Sequence, residues 1–277
     1  MEEEHNMSNI NIDYDISNEQ YHLSDALSAS GAKTIATKSL ADFKYAKRDW
    51  VSAFDIGTAT HTFVLEPELS SDVRCGPETR RGKAWAEQKE QADADGALLL
   101  TEPDYTLAID MAQAVFNNEQ AAELLAIDDM VAEASVFVKD GSTGADIRCR
   151  PDKWSQKSKI ILDLKTTTAP DPDGFSRQVA SFGYHIQEAF YRRAMREAGE
   201  HIERFVFIAV GKSAPHNVGI YELDEDALRE GEYAVDYALE QFVAATESGK
   251  WNSGFERLQT LELPRWSFKF HRPQLEF

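Results

Sequence analysis

Two carboxylates and a lysine in residues 145–168, ADIRCRPDKWSQKSKIILDLKTTT, carry the chemistry this sequence can offer. Asp152 stands just before a turn, and Asp163 and Lys165 stand in the apolar strand that follows. Residues two apart in a strand point to the same face, so Asp163 and Lys165 project together. Ile161, Leu162 and Leu164 supply much of the apolar surface around them. Two acids and a fixed positive charge at one sheet edge suit a hard divalent cation and metal-assisted hydrolysis of a phosphodiester. An Asp-x-Lys pair by itself is more often a solvated strand face, so the rest of the chain has to decide.

Those side chains need a sheet and covering helices to hold them. KSKIILDLKTTT reads as a central strand, because its apolar run leaves no solvated face. MVAEASVFVKDGSTGADIRCRPDKW reads as two strands joined by a loop centred on residues 141–144, with Glu133 beginning the first and Asp152 ending the second. HIERFVFIAV and NVGIYELD read as further strands. The spacing predicts one long helix from about Gly174 to Ala198, with Tyr184, Gln187, Glu188 and Tyr191 on one face. That spacing equally suits core tyrosines beside a solvated Gln187. EDALREGEYAVDYALEQFVAATESG reads as an acidic amphipathic helix covering the sheet.

Upstream, Ser24 and Ser39 read as helix caps, with a short helix over 39–49. A second helix runs from Gly57 to Leu65 and is closed by Pro67. It carries His61 among small and apolar neighbours, a setting it shares with many buried structural histidines. Residues 70–97 are polar and read as a loop. A helical hairpin follows, with Pro103 near its start and a shorter helix after Asn118. The aromatic tail with Trp251 and Trp266 suits packing on the domain or on a neighbouring copy.

At 277 residues and 42% hydrophobic, the chain can bury a real core as a single domain over 19–277, after a polar, flexible start at 1–18. Mean hydropathy is -0.47, and no run approaches the roughly 18 apolar residues of a membrane span. The acidic N-terminus does not read as a signal peptide. Cys75 and Cys149 are too few for a disulfide scaffold or a four-cysteine metal centre, which points to a reducing cytoplasm. The net charge of -19 argues against DNA binding over the whole surface. It leaves room for a confined basic channel. Two basic islands could line one: Lys33, Lys38, Lys44, Lys47 and Arg48 around the single acid Asp42, and Arg80, Arg81 and Lys83 around Gly82. The absence of GxGxxG, a P-loop, HExxH and GxSxG removes dinucleotide, nucleotide-triphosphatase, zincin and seryl-hydrolase readings.

The ordered set His61, Glu133, Asp152, Asp163, Lys165, Gln187 and Tyr191 resembles the RecB-like branch of the PD-(D/E)xK nuclease superfamily. More closely, the chain is similar to the nuclease domain of the RecE (exonuclease VIII) family of phages and prophages. SASGAKTIATKSLADFKYAKRDW, GTATHTFVLEP, GADIRCRPD, IILDLKTT and YHIQEAFY carry the likeness. The resemblance implies a restriction-endonuclease-like α/β fold. A mixed central sheet is flanked by helices, the catalytic core spans about 131–222, and both ends carry helical additions. It implies Asp152 and Asp163, with the Leu164 carbonyl and His61, as ligands of one or two Mg²⁺, for which Mn²⁺ would substitute. It makes Lys165 the stabiliser of the attacking group, Glu133 an orienting acid, and Gln187 a brace for Lys165 or a backbone contact, with Tyr184 or Tyr191 beside it. The second acid here is Asp where many members have Glu. The implied activity is 5′→3′ degradation of double-stranded DNA ends in a bacterial host cell. The 3′ strand left behind would go to a single-strand annealing protein. A ring-shaped trimer or tetramer would line its channel with Lys44, Lys47, Arg48, Arg80, Arg81 and Lys83 and turn its acids outward. Another repair nuclease of the superfamily, or a non-catalytic DNA-binding protein on the same scaffold, remains the alternative.

Overall fold

The computed structural model describes residues 11–13, 16, 18–46 and 52–268. Lys47 and Arg48, most of the first 17 residues and the last nine lie outside the described residues. The chain opens with β1 (Asn11–Asp13), α1 (Asn18–Leu23), β2 (Leu27–Ser28), α2 (Ala29–Thr37), α3 (Leu40–Tyr45) and α4 (Ser52–Leu65). Then come β3 (Val73–Cys75), α5 (Lys83–Ala94), β4 (Leu98–Leu100), α6 (Glu102–Asn117) and α7 (Glu119–Leu125). The sheet-forming half follows: β5 (Met130–Ala132), β6 (Ser135–Lys139), β7 (Asp146–Cys149), β8 (Lys153–Ser155) and β9 (Ile160–Thr167). It closes with α8 (Pro172–Phe182), α9 (Tyr184–Glu197), β10 (Arg204–Gly211), β11 (Val218–Tyr221) and α10 (Glu225–Ser248).

The central sheet has the order β11-β10-β9-β8-β5 and is mixed, because β9 and β10 run parallel and the other neighbours antiparallel. This is the α/β fold expected. The period of two sorts β9 onto two cores. Ile160, Leu162 and Leu164 join the cluster formed with α4, α6 and α7, whereas Ile161 joins the one formed with α2, α8, α9 and α10. Asp163 and Lys165 therefore project on the second side, toward α9. A smaller sheet, β1-β6-β7-β2, stands beside the first. The two share one bent hairpin: β5 and β8 pair in the central sheet, and β6 and β7 continue the same two chains into the smaller one.

Five expectations need correction. The two strands predicted over 130–154 are four, because both chains of the hairpin change sheets at Glu133 and at Arg150–Asp152. Glu133 and Asp152 thus sit at the corner rather than at strand ends. The helix predicted over 174–198 is two, broken at Gly183, which adopts φ 65 and ψ 40, a left-handed conformation that ends α8. The polar stretch 70–97 contains β3 and α5, and β3 pairs parallel with β4. Ser39 caps α3 as expected, but Ser24 caps no helix; Ser28 caps α2 through the Gly31 N–H. The acidic α10 packs on α9 and α2 rather than on the sheet. At Gly231 it comes so close to α9 that a Cβ would stand 2.3 Å from the His185 carbonyl oxygen.

Candidate active site

The bend in the shared hairpin puts Glu133 opposite Asp152, and the Glu133 N–H donates to the Asp152 carbonyl at 3.2 Å. The turn is made by Glu133 itself at φ 50, an uncommon value for a residue with a side chain. Asp152 is held by the neighbouring strand: the Leu164 N–H donates to its Oδ2 at 2.8 Å. His61, from α4, brings Nδ1 to 3.5 Å from the same oxygen. One strand thus locks Asp152 through its backbone while presenting Asp163 through its side chain.

Asp163 is fully buried. Gln187 on α9 donates to its Oδ1 at 2.7 Å, and Lys165 Nζ stands 2.5 Å from its Oδ2. Among the described residues that ion pair is the one polar contact Oδ2 receives. Burial raises the Asp163 carboxyl above the usual range, against the pull of Lys165. Burial also works against the Lys165 charge, but Asp163 and Asp152 outweigh it and keep the ammonium protonated. The Tyr184 ring, 4.8 Å from Lys165 Nζ, adds a π-face to that charge. Burial, reinforced by Asp152 and Glu66, pushes Glu133 to about 8 despite Arg150.

These groups face a cleft of about 1010 Å³. His61, Glu133, Leu164, Lys165 and Tyr184 line it, with Lys33 from the first basic island and with residues that sequence reasoning did not place there: Glu66, Arg150, Phe182 and Lys212. A second cavity of about 250 Å³, bordered by Gln187 and Tyr191, shares Lys33, Glu133 and Arg150 with the first. Arg150 is held by Ser135 and the Ile16 carbonyl and lies 4.2 Å from the Tyr21 ring. Tyr191 donates to the Arg150 carbonyl at 3.0 Å and so braces the corner. Burial and the neighbouring Lys165 lower Lys33 to about 8. No local pattern marks it, since its place depends on α2 docking against α9.

The other basic residues fall elsewhere. Lys44 lies 4.8 Å from the Trp251 ring. Arg80 is tied to Asp55 and Asp104 at 3.3 and 3.4 Å and lies over Trp85. Arg81 is exposed, and Lys83 pairs with Glu87 one helical turn away. None of them lines the cleft.

Among the described residues no group of three or more His, Cys, Asp or Glu side chains is assembled to hold a metal. The residues present nevertheless fit a hard cation of the Mg²⁺ type. Such an ion takes one or two carboxylates and completes its shell with water and substrate oxygens. Asp163 Oδ2 is buried and met by the Lys165 ammonium alone, an oxygen that a cation can share. No described helix is long and apolar enough to cross a membrane.

A family model described as a PDDEXK-like domain of unknown function (DUF3799) matches residues 28–263. Among solved structures, a candidate exonuclease from Eubacterium rectale aligns with a TM-score of 0.61 at 15% identity, covering 90% of this chain and 96% of the other. A phage related exonuclease from Haemophilus somnus aligns with a TM-score of 0.34 at 13% identity, covering 83% and 99%. No curated protein matches by sequence. The family match spans most of the chain, and the chain belongs to that PDDEXK-like family.

Proposed function

We propose that this PDDEXK-like chain is a metal-dependent deoxyribonuclease that digests double-stranded DNA from its ends, 5′→3′. The observation that carries the reading is Asp163: buried, aligned on Oδ1 by Gln187, and met on Oδ2 by the Lys165 ammonium, with Asp152 close enough to raise its carboxyl. The charge of Asp152 nearby, and the likeness of the ordered motif set to RecE-type nucleases, support the reaction class. The structurally similar Eubacterium rectale protein, named as a candidate exonuclease, agrees with it.

When bound beside Asp152 and Asp163, with the Leu164 carbonyl and His61 at hand, Mg²⁺ would neutralise phosphate charge and make water acidic enough to attack. The chain's own groups do the rest. Gln187 fixes Asp163 Oδ1 and the Leu164 N–H fixes Asp152 Oδ2, so each acid offers its other oxygen in a set direction. Lys165 carries a point charge on a strand, a firmer support than a loop, where the phosphate becomes more negative. Burial and the Asp152 charge hold the Glu133 carboxyl above the usual range, which eases a third negative charge at the corner. Tyr184 lines the approach for the strand. The reading extends to a ring of copies that hands its 3′ product to an annealing protein; a monomeric mass in solution removes that extension.

The test is a linear duplex labelled separately at its 5′ and 3′ ends, with Mg²⁺ or EDTA. Early release of the 5′ label, dependent on Mg²⁺ and absent with circular duplex, is the expected result. If folded, metal-binding protein leaves linear, nicked and single-stranded DNA uncut, a DNA-binding module on this scaffold takes its place.

A further inference from the structure

The break between α8 and α9 does more than redirect the chain. It leaves Phe182 as the last residue of one helix and Tyr184 as the first of the next, and both rings line the large cleft. Their centroids are 5.7 Å apart at 39°. Phe182 is 57% exposed, the most exposed aromatic ring of a cleft that it lines together with Leu69, Tyr184 and several lysines and threonines. Gly183 packs on the stem of Lys33: a Cβ there would lie 3.3 Å from Lys33 Cδ. Lys33 Nζ reaches 5.7 Å from the Tyr184 ring. Among the described residues Lys33 and Lys212 have no carboxylate within ion-pairing distance, whereas Lys165 is engaged by Asp163. An exposed ring in one cleft with two cations that no acid pairs matches what an unpaired nucleotide presents, a flat π-face and a phosphate.

We propose that Phe182, with Lys33 and Lys212, forms a subsite for an unpaired nucleotide of the DNA strand next to the cleavage site. The Phe182 ring stacks on the base, and the two ammonium groups take phosphates. The subsite rests on the nuclease reading and adds what that reading lacks, a means of holding the strand end open once it has left its partner. A closed duplex offers no free base face to Phe182, so the subsite favours frayed or single-stranded ends over interior duplex.

Binding of a short fluorescent single strand, measured in EDTA so that nothing is cut, tests it across a range of salt concentrations. Phe182→Ala is expected to weaken binding about 5- to 150-fold without changing the salt dependence, since stacking carries no charge. Phe182→Trp is expected to restore it. Lys33→Gln and Lys212→Gln are each expected to flatten the slope of log affinity against log salt by about 0.7, one phosphate contact on a single strand. Thermal melting of each variant checks folding; Phe182 and Lys212 lie at the surface or partly so, and neither belongs to a core cluster. Wild-type affinity in folded Phe182→Ala overturns the subsite, as does a loss that Phe182→Trp leaves in place. Unchanged salt slopes in both lysine variants overturn its phosphate half. If the wild-type chain binds no DNA of any form, the nuclease reading falls with it, an outcome distinct from wild-type binding that is indifferent to Phe182.

Discussion

The molecule buries two aspartates against a cation, and treats them in opposite ways. Asp140, at the end of β6, is 1% exposed and bonded on every side. Arg193 spans both its oxygens at 2.5 and 3.1 Å, Ser142 donates to Oδ2 at 3.1 Å, and Thr143 donates from its backbone at 2.9 Å and its hydroxyl at 2.6 Å. Burial alone would raise Asp140, but Arg193 and Thr143 outweigh it and draw the carboxyl down to about 2. Asp163 is no more exposed, yet it has one amide donor, one lysine ammonium, and a carboxyl held above the usual range. A planar fork satisfies a carboxylate permanently, whereas an ammonium point charge on a flexible stem can yield its place. The first arrangement builds structure. The second keeps an oxygen available.

That contrast breaks if the two sites respond alike to loss of charge. The largest effect expected is on cleavage: Asp152→Asn, Asp163→Asn and Lys165→Ala should each lower the rate by at least about 10²–10³-fold. Melting temperatures should stay close to wild type. Asp163→Asn leaves a lysine that can shed its proton or turn to Asp152, so little uncompensated charge stays buried. Single-turnover cleavage with melting curves measures both; wild-type rates in all three folded variants would remove the site.

Asp140→Asn should do the reverse. Arg193 cannot deprotonate, and its remaining acid, Asp236, is more than half exposed. Breaking a buried pair of this kind costs about 3 kcal/mol. Urea unfolding should show that loss while the cleavage rate of the folded fraction is unchanged. Equal stability of Asp140→Asn and wild type would make the bonded fork irrelevant and blunt the comparison.

The difference was only partly legible in the sequence. β9 declared itself, because an unbroken apolar run with Asp and Lys two apart has one simple explanation. Asp152, Lys165 and Gln187 could be placed near it by motif order. The corner could not be read: a strand that leaves one sheet for another at a non-glycine residue with positive φ has no signature in composition, so Glu133 looked like a strand end. Gly183 sits inside a pattern that stays helical on both sides, and only tertiary contact with Lys33 shows that the helix must break there. α5 was missed because it buries little: among its residues only Ala92 is fully covered, which leaves no apolar stripe to detect. Asp140 stands just before the loop over 141–144 and nothing in the sequence singles it out; its Arg193 partner lies 53 residues away on α9.

Acid sharpens the contrast on the structural side. The Asp140 carboxyl sits near 2 in the folded chain against an ordinary 3.8. A depressed folded value stabilises the protein above the unfolded value, and that contribution is lost as pH falls through 2. Between about pH 4 and 2 wild-type stability should therefore fall more steeply than that of Asp140→Asn. Denaturant titrations across that window read it directly, and parallel curves would assign acid sensitivity to other groups.

The smallest effects are expected where charge is plentiful and unburied. Arg80, Arg81 and Lys83 looked alike in sequence as one basic knot, but they have different work. Arg80 joins α4 to α6 through Asp55 and Asp104, each partly buried. Arg80→Ala should cost up to about 1 kcal/mol, the range of a pair that keeps some solvent. Arg81 is exposed, and Lys83 has only a solvated partner on its own helix. Arg81→Ala and Lys83→Ala should leave stability within experimental error. If DNA passes over this loop on its way to the cleft, each should still flatten the salt dependence of binding by almost one unit. A flat response in both stability and salt slope would confine strand contact to the cleft itself. The cleft's own cations, Lys33, Lys165 and Lys212, would then account for binding by a chain with a net charge of -19.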